Sequence, residues 1–224
     1  MSFVFDYFRH QRIGMPECIL CEGKDRAVLN KLLTEVIGQK KHPVLLTRLS
    51  REGYAALKPA HIKKLNYDSL SRTAFICGTM PKIHSVSVAV VTAGSADLAV
   101  ACEVCRTLEY LGVESHLFAD IGVAGLWRLD KNIEAINCHD VIVVVAGMDA
   151  AMVSVLGGLS PRPIVAVPTS VGYGVAQGGV AALHSMLASC APGIAVVNID
   201  NGYGAACAAF RMINSFVRQG ARKK

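Results

Sequence analysis

Val141-Ile142-Val143-Val144-Val145-Ala146 is apolar at every position, and its reading decides the fold. β-branched side chains favour a pleated strand. A strand apolar at all positions, not at alternate ones, is buried on both faces, as in parallel sheets covered by helices. Working outward, strand-like runs recur at Val86 to Thr92, Glu114 to Phe118, Ile164 to Val167 and Ile194 to Ile199. Between them lie predicted helices at Leu98 to Leu111, Leu126 to Ile136, Ala150 to Leu156, Gly179 to Ala188 and Gly204 to Arg218. Strand and helix in alternation, joined by right-handed crossovers, predict an α/β fold with a doubly wound parallel sheet.

Residues 1–82 read as a separate small α/β unit. A helix is predicted from Asp25 to Ile37, with Asp25 as its cap and Ala27, Val28, Leu32 and Val36 as its apolar stripe. Val44 to Arg48 and Thr73 to Cys77 are strand-like, with a short helix from Tyr54 to Leu57 between them. Asp6, Arg9 and Arg12 share a helical face before the turn at Gly14-Met15-Pro16. The connection Gly78-Thr79-Met80-Pro81-Lys82 marks the boundary with residues 83–224.

Composition excludes several classes. The chain of 224 residues is 52% hydrophobic and only 18% charged, with 20 glycines, which suits a compact α/β protein with much buried sheet. Its net charge of +6 gathers at Arg218, Arg222, Lys223 and Lys224, with short pairs at Lys40-Lys41 and Lys63-Lys64. A solvated tail explains that excess, and no arginine stripe or aromatic platform points to nucleic acid. No apolar run reaches membrane-spanning length. The start of the chain lacks the pattern of a signal peptide, so its 8 cysteines read as free thiols of a cytoplasmic protein. Of two Cys-x-x-Cys pairs, Cys102/Cys105 lies in a helical pattern and Cys18/Cys21 near Gly23, and both read as packing residues ahead of zinc ligands.

In a doubly wound sheet, ligands bind beyond the carboxyl ends of the strands, where the strand order reverses. The loops at those ends carry Gly94, Ser95 and Asp97, then Asp120, then Gly147-Met148-Asp149, then Pro168 to Gly174, then Asn198, Asp200 and Asn201. Gly94-Ser95-Ala96-Asp97 forms a strand-turn-helix junction able to hold a phosphate. Ser95 and Asp97 are equally ordinary helix caps, and Asn198, Asp200 and Asn201 ordinary turn formers. No GxGxxG fingerprint or P-loop lysine is present, so neither a Rossmann dehydrogenase nor an NTPase is indicated. Gly172, Gly174, Gly178 and Gly179 crowd one loop, and Cys190 stands just beyond the next helix.

Pro168-Thr169-Ser170-Val171-Gly172-Tyr173-Gly174, Ser189 to Gly193 (SCAPG) and Val196 to Ala206 (VVNIDNGYGAA) together resemble the LarB family. These are pyridinium-3,5-biscarboxylic acid mononucleotide synthases of nickel-pincer cofactor biosynthesis. Asp120 to Gly125, Ala146-Gly147-Met148 and the leading Asp6, Arg9, Arg12, Gly14, Pro16, Glu17 and Lys24 extend the likeness over nearly the whole chain. The resemblance implies a flavodoxin-like, PurE-type carboxylase domain at 83–224. It also implies carboxylation of nicotinic acid adenine dinucleotide by carbon dioxide or bicarbonate, followed by phosphoanhydride hydrolysis that releases AMP.

Cys190 matches the family's nucleophile and Asp149 its candidate base. Gly94, Ser95, Asp97, Asp120, Gly172, Tyr173, Gly174, Asn198, Asp200 and Asn201 are the substrate-binding candidates. Mg2+ suits the phosphoanhydride step, with Asp97, Asp120 and Asp200 as helpers, and a homo-octamer follows from the PurE analogy. Three positions depart from the family pattern. Ala96 stands in GSAD where the family has GTSD, Asp149 replaces a glutamate, and Trp127 replaces the histidine of His-Arg-Leu. Two further readings stand beside the first: a PurE-like aminoimidazole ribonucleotide carboxylase or mutase, and a catalytically impaired nucleotide-binding relative.

Overall fold

The computed structural model describes residues 4–39 and 42–221. The basic residues Lys40-Lys41 and Arg222, Lys223 and Lys224 lie outside them. The chain divides into two compact units. One runs to Pro81 and takes in Tyr110–Gly112, and the other holds the remainder from Lys82.

The first unit is a four-stranded sheet of order β1-β2-β4-β3. It comprises α1 (Arg9–Ile13), β1 (Cys18–Leu20), α2 (Arg26–Gln39), β2 (Val44–Thr47), α3 (Arg51–Ala55), α4 (Pro59–Ile62), β3 (Asn66–Asp68) and β4 (Thr73–Ile76). Strand β2 runs parallel to β1 and antiparallel to β4. Leu29, Leu32, Leu33 and Val36 of α2 pack with Ile19, Val44, Leu46 and Ile76. Asp25 caps α2 as expected, accepting from the Val28 N–H at 2.8 Å. The helix expected at Tyr54 to Leu57 instead begins at Arg51, because the Ser50 hydroxyl accepts from the Gly53 N–H at 3.0 Å and sets the start there. Asp6, Arg9, Arg12 and Glu17 form an ion-pair network around α1.

The second unit comprises β5 (Ser87–Thr92), α5 (Leu98–Tyr110), β6 (Glu114–Phe118), α6 (Leu126–Asn137), β7 (Val141–Ala146), α7 (Ala151–Leu159), β8 (Ile164–Pro168), α8 (Val180–Leu187), β9 (Ile194–Val196) and α9 (Gly202–Ala221). Its five strands take the order β6-β5-β7-β8-β9, and every pairing is parallel. This is the doubly wound sheet that the apolar runs predict, in the flavodoxin-like order that the resemblance implies. Alternate residues of each strand serve opposite faces. Ala89, Val91, Ile142, Val144 and Ala166 meet Leu129 and Ile136 of α6, Met152, Val153 and Leu156 of α7, and Ala182 and Met186 of α8. Helix α9 packs against β7 and β8.

The strand expected to reach Ile199 stops at Val196. Beyond it the backbone turns: the Asp200 N–H donates to the Pro168 carbonyl at 2.9 Å and the Asn201 N–H to the Asn198 carbonyl at 3.2 Å. No helix of the described residues is long and apolar enough to cross a membrane.

Candidate active site

Strand β5 lies between β6 and β7, so the chain leaves it in one direction and returns on its other side. Ligand clefts open at such a reversal. A cleft of about 380 Å³ does so here. Ala93, Gly94, Ala96 and Asp97 enter it after β5, Gly122, Val123 and Ala124 after β6, Gly147 to Met152 after β7, and Val171 after β8.

Asp97 holds the strand ends together. It is buried, and its Oδ1 accepts from the Thr169 hydroxyl at 2.7 Å while Oδ2 accepts from the Gly94 N–H at 3.0 Å. The Gly147 N–H donates to it as well. Loops after β5, β7 and β8 thus meet on one carboxylate. Burial pushes its pKa up, these three donors pull it back, and neighbouring Asp200 adds to the rise. Gly147 must be glycine at this junction: a Cβ there would stand 2.3 Å from the Val171 carbonyl oxygen and 2.6 Å from the Thr169 hydroxyl.

Asp149 is exposed at the cleft, at the entry to α7, where its Oδ1 accepts from the Ala151 N–H at 3.1 Å. The residues on either side, Met148 and Ala150, both have φ of 54°. Asp120 (φ 57°) and Asp200 (φ 54°), in the loops after β6 and β9, share that conformation. Left-handed backbone is costly for residues with a Cβ and collects where a site over-determines it. Asp120 pairs with Arg128 of α6 at 2.8 Å.

The other candidates serve in different ways. Ser95 is exposed beside the cleft without lining it. Asp200 Oδ1 accepts from the Ser170 N–H at 2.8 Å, Asn201 Oδ1 from the Gly204 N–H at 2.8 Å, and Asn198 Oδ1 from the Ile199 N–H at 2.9 Å. These bonds are turn chemistry, and none of the three side chains lines the cleft. Gly172, Tyr173 and Gly174 lead into the single-turn helices of Gly174–Gly179, with Tyr173 76% exposed.

Cys190 is exposed in the turn between α8 and β9 and does not line the cleft. The Ser189 hydroxyl lies 2.8 Å from that of Ser154 in α7. A Cβ at Gly157, one turn further along α7, would stand 2.7 Å from the Ala191 Cβ. Cys190 therefore sits along the flank of α7, about 5–9 Å of helix rise from the end that carries Asp149. Within one chain the cleft that Asp149 lines is not lined by Cys190.

The expected magnesium helpers do not make a cage. Asp97 is spent on protein donors and Asp120 on Arg128, and no three metal-ligating side chains converge among the described residues. Sequence reading places Met148, Val171 and Thr169 in the right loops without singling them out as site residues, and misses Met152; Thr169, buried at the end of β8, matters most. A hydroxyl directly after an apolar strand was the available signal.

The parallel order β6-β5-β7-β8-β9 with its switch-point cleft defines a flavodoxin-like α/β fold, the arrangement expected of a PurE-type domain. Residues 87–223 match the model of the AIR carboxylase family, and residues 3–77 that of the LarB/PurE-like N-terminal domain. The chain belongs to the LarB family, with a PurE-like carboxylase domain at its C-terminal end. It is 36% identical over 207 residues to an uncharacterized protein of Methanocaldococcus jannaschii, a match covering 89% of this chain and 79% of that protein.

Proposed function

We propose that the protein carboxylates the pyridinium ring of nicotinic acid adenine dinucleotide and then hydrolyses its phosphoanhydride, releasing AMP, as a step in nickel-pincer cofactor biosynthesis. The observation that carries this reading is an exposed thiol, Cys190, in the family's SCAPG setting, in a chain whose switch-point cleft presents a carboxylate, Asp149.

A pyridinium carbon is electrophilic. The Cys190 thiolate adds at ring position 4, giving an electron-rich dihydropyridine. Position 5 attacks carbon dioxide, drawn from solution or from bicarbonate, and a C–C bond forms. Asp149 takes the position-5 proton. The ring electrons then expel the thiolate and restore the pyridinium, so no oxidant is needed. A positively charged ring is also attracted to the Asp149 carboxylate. Magnesium enters only as a counter-ion on the substrate's own diphosphate, the usual setting of that ion.

Because Cys190 and Asp149 occupy different places in one chain, the proposal includes a homo-oligomer in which one copy presents Cys190 to the cleft of another. Val180, His184 and Leu187 form an exposed stripe on α8 that leads to the Cys190 turn, and Val175 just ahead of it is fully exposed. A second copy covering that stripe removes the apolar surface from water.

Purified protein, incubated with nicotinic acid adenine dinucleotide and bicarbonate, is expected to yield a dicarboxylated pyridinium mononucleotide and AMP by mass spectrometry. Cys190→Ala is expected to yield neither. A parallel incubation with aminoimidazole ribonucleotide tests the PurE-like reading.

A further inference from the structure

Trp127 is the only tryptophan of the chain, and it stands 62% exposed in the first turn of α6. It stands two residues beyond the Val123–Gly125 turn, of which Val123 and Ala124 line the cleft, and is outside the lining itself. Two cations lie over the indole: Lys131 Nζ is 4.9 Å from the ring centroid and Arg128 Cζ is 5.8 Å. Lys131 is one helical turn further along α6, so its ammonium reaches the ring without strain. Arg128 is held in turn by Asp120.

We infer that Trp127 is a stacking platform for the purine base of the substrate, with Lys131 beside it for the adjoining phosphate. The inference rests on the dinucleotide reading above and adds the orientation of the substrate. A dinucleotide of this kind carries two flat rings of different charge. The pyridinium is cationic, and the Lys131 ammonium over Trp127 repels it, whereas the Arg128 guanidinium is offset by Asp120. The purine is neutral and stacks on any aromatic face, while its phosphate is drawn to that ammonium. The cationic ring then belongs at the Asp149 end of the cleft. A large, flat, exposed indole with positive neighbours fits a nucleoside phosphate and not a second cation.

Titrating AMP into the full chain tests this, because tryptophan emission reports on this one indole. AMP is expected to quench the emission saturably. By calorimetry, Trp127→Ala is expected to weaken AMP binding roughly 5- to 150-fold, the usual range for loss of one base stack. Trp127→Phe should keep most of the affinity, and ribose 5-phosphate should bind wild type and Trp127→Ala alike. Circular dichroism checks that the variants fold.

Full-affinity AMP binding by Trp127→Ala overturns the inference, as does wild-type emission indifferent to bound AMP or a wild type that binds no AMP. A change of particle mass in Trp127→Ala with unchanged AMP affinity assigns the indole to a contact between copies and equally overturns it. The readout requires no turnover. A wild type that makes no carboxylated product yet is quenched by AMP sinks the carboxylase reading and supports the platform.

Discussion

Asp149 stands where the resemblance has glutamate, one methylene longer. The side chain does reach the cleft, but it is tethered by the Ala151 N–H and sits between two left-handed residues. Shortening a base by about 1 Å costs rate unless the backbone compensates, and the left-handed Met148 and Ala150 on either side fix where the short side chain starts. Asp149→Asn is expected to lower carboxylation by about 10²- to 10⁴-fold, with Asp149→Glu retaining turnover; steady-state kinetics on both variants checks it. Wild-type rates in Asp149→Asn remove the residue from the mechanism. At this scale motifs made the residues legible, yet not their tasks. Asp97 and Asp200 were candidates for substrate because carboxylates near a glycine-rich turn invite that reading. Asp97 does line the cleft, but its carboxylate is buried and also bonded to Thr169 and to the Gly94 and Gly147 amides, and that burial depends on the loops folded over it. The thiols show the same dependence. Burial drives the pKa of Cys21 up to about 12 and that of Cys105 to about 11, keeping both protonated and inert, whereas Cys190 is exposed.

Among the elements, those whose pattern is long and continuous were read correctly. Glu114–Phe118 and Val141–Ala146 have the expected bounds, and helices α5 and α6 differ from theirs by one residue at their ends. The strands β1 and β3 have three residues and α4 has four, too few for either period to show. The end of β9 was misplaced because Val197 and Ile199 continue an apolar look while the backbone turns to bond Pro168. What ties these elements into a site is the Asp97 carboxylate with its Thr169 and backbone donors. Its raised pKa means that the folded state holds the proton more tightly than the unfolded chain. The associated stability is present below the ordinary carboxylate value and is lost as pH rises through the folded pKa. Thr169→Val removes a donor that stabilises the charged form. It is expected to cost about 1–3 kcal/mol at neutral pH and less near pH 4, measured by chemical denaturation at both. Equal losses at the two pH values contradict that account of Asp97.

At the scale of the whole molecule, the exposed apolar side chains of the second unit are what the proposed assembly has to cover. Val175, Val180 and Leu187 lie bare around α8 while Cys190 stands away from the cleft. Light scattering is expected to give a mass that is a multiple of the 23.8 kDa chain. Replacing Leu187 with Lys is expected to lower that mass and the activity together, and a fully active monomer contradicts the shared site. The low charge fraction hinted at such an assembly. The separation of Cys190 from Asp149 was not legible, because both belong to glycine-rich segments that look alike until the strand order sets them in space.

The most direct test of the central claim is mass detection of products after incubation of wild type and Cys190→Ala with nicotinic acid adenine dinucleotide and bicarbonate. The account predicts AMP and the dicarboxylated mononucleotide in equal amounts from wild type and neither from the variant. No AMP from wild type, or as much carboxylated product from Cys190→Ala, contradicts it.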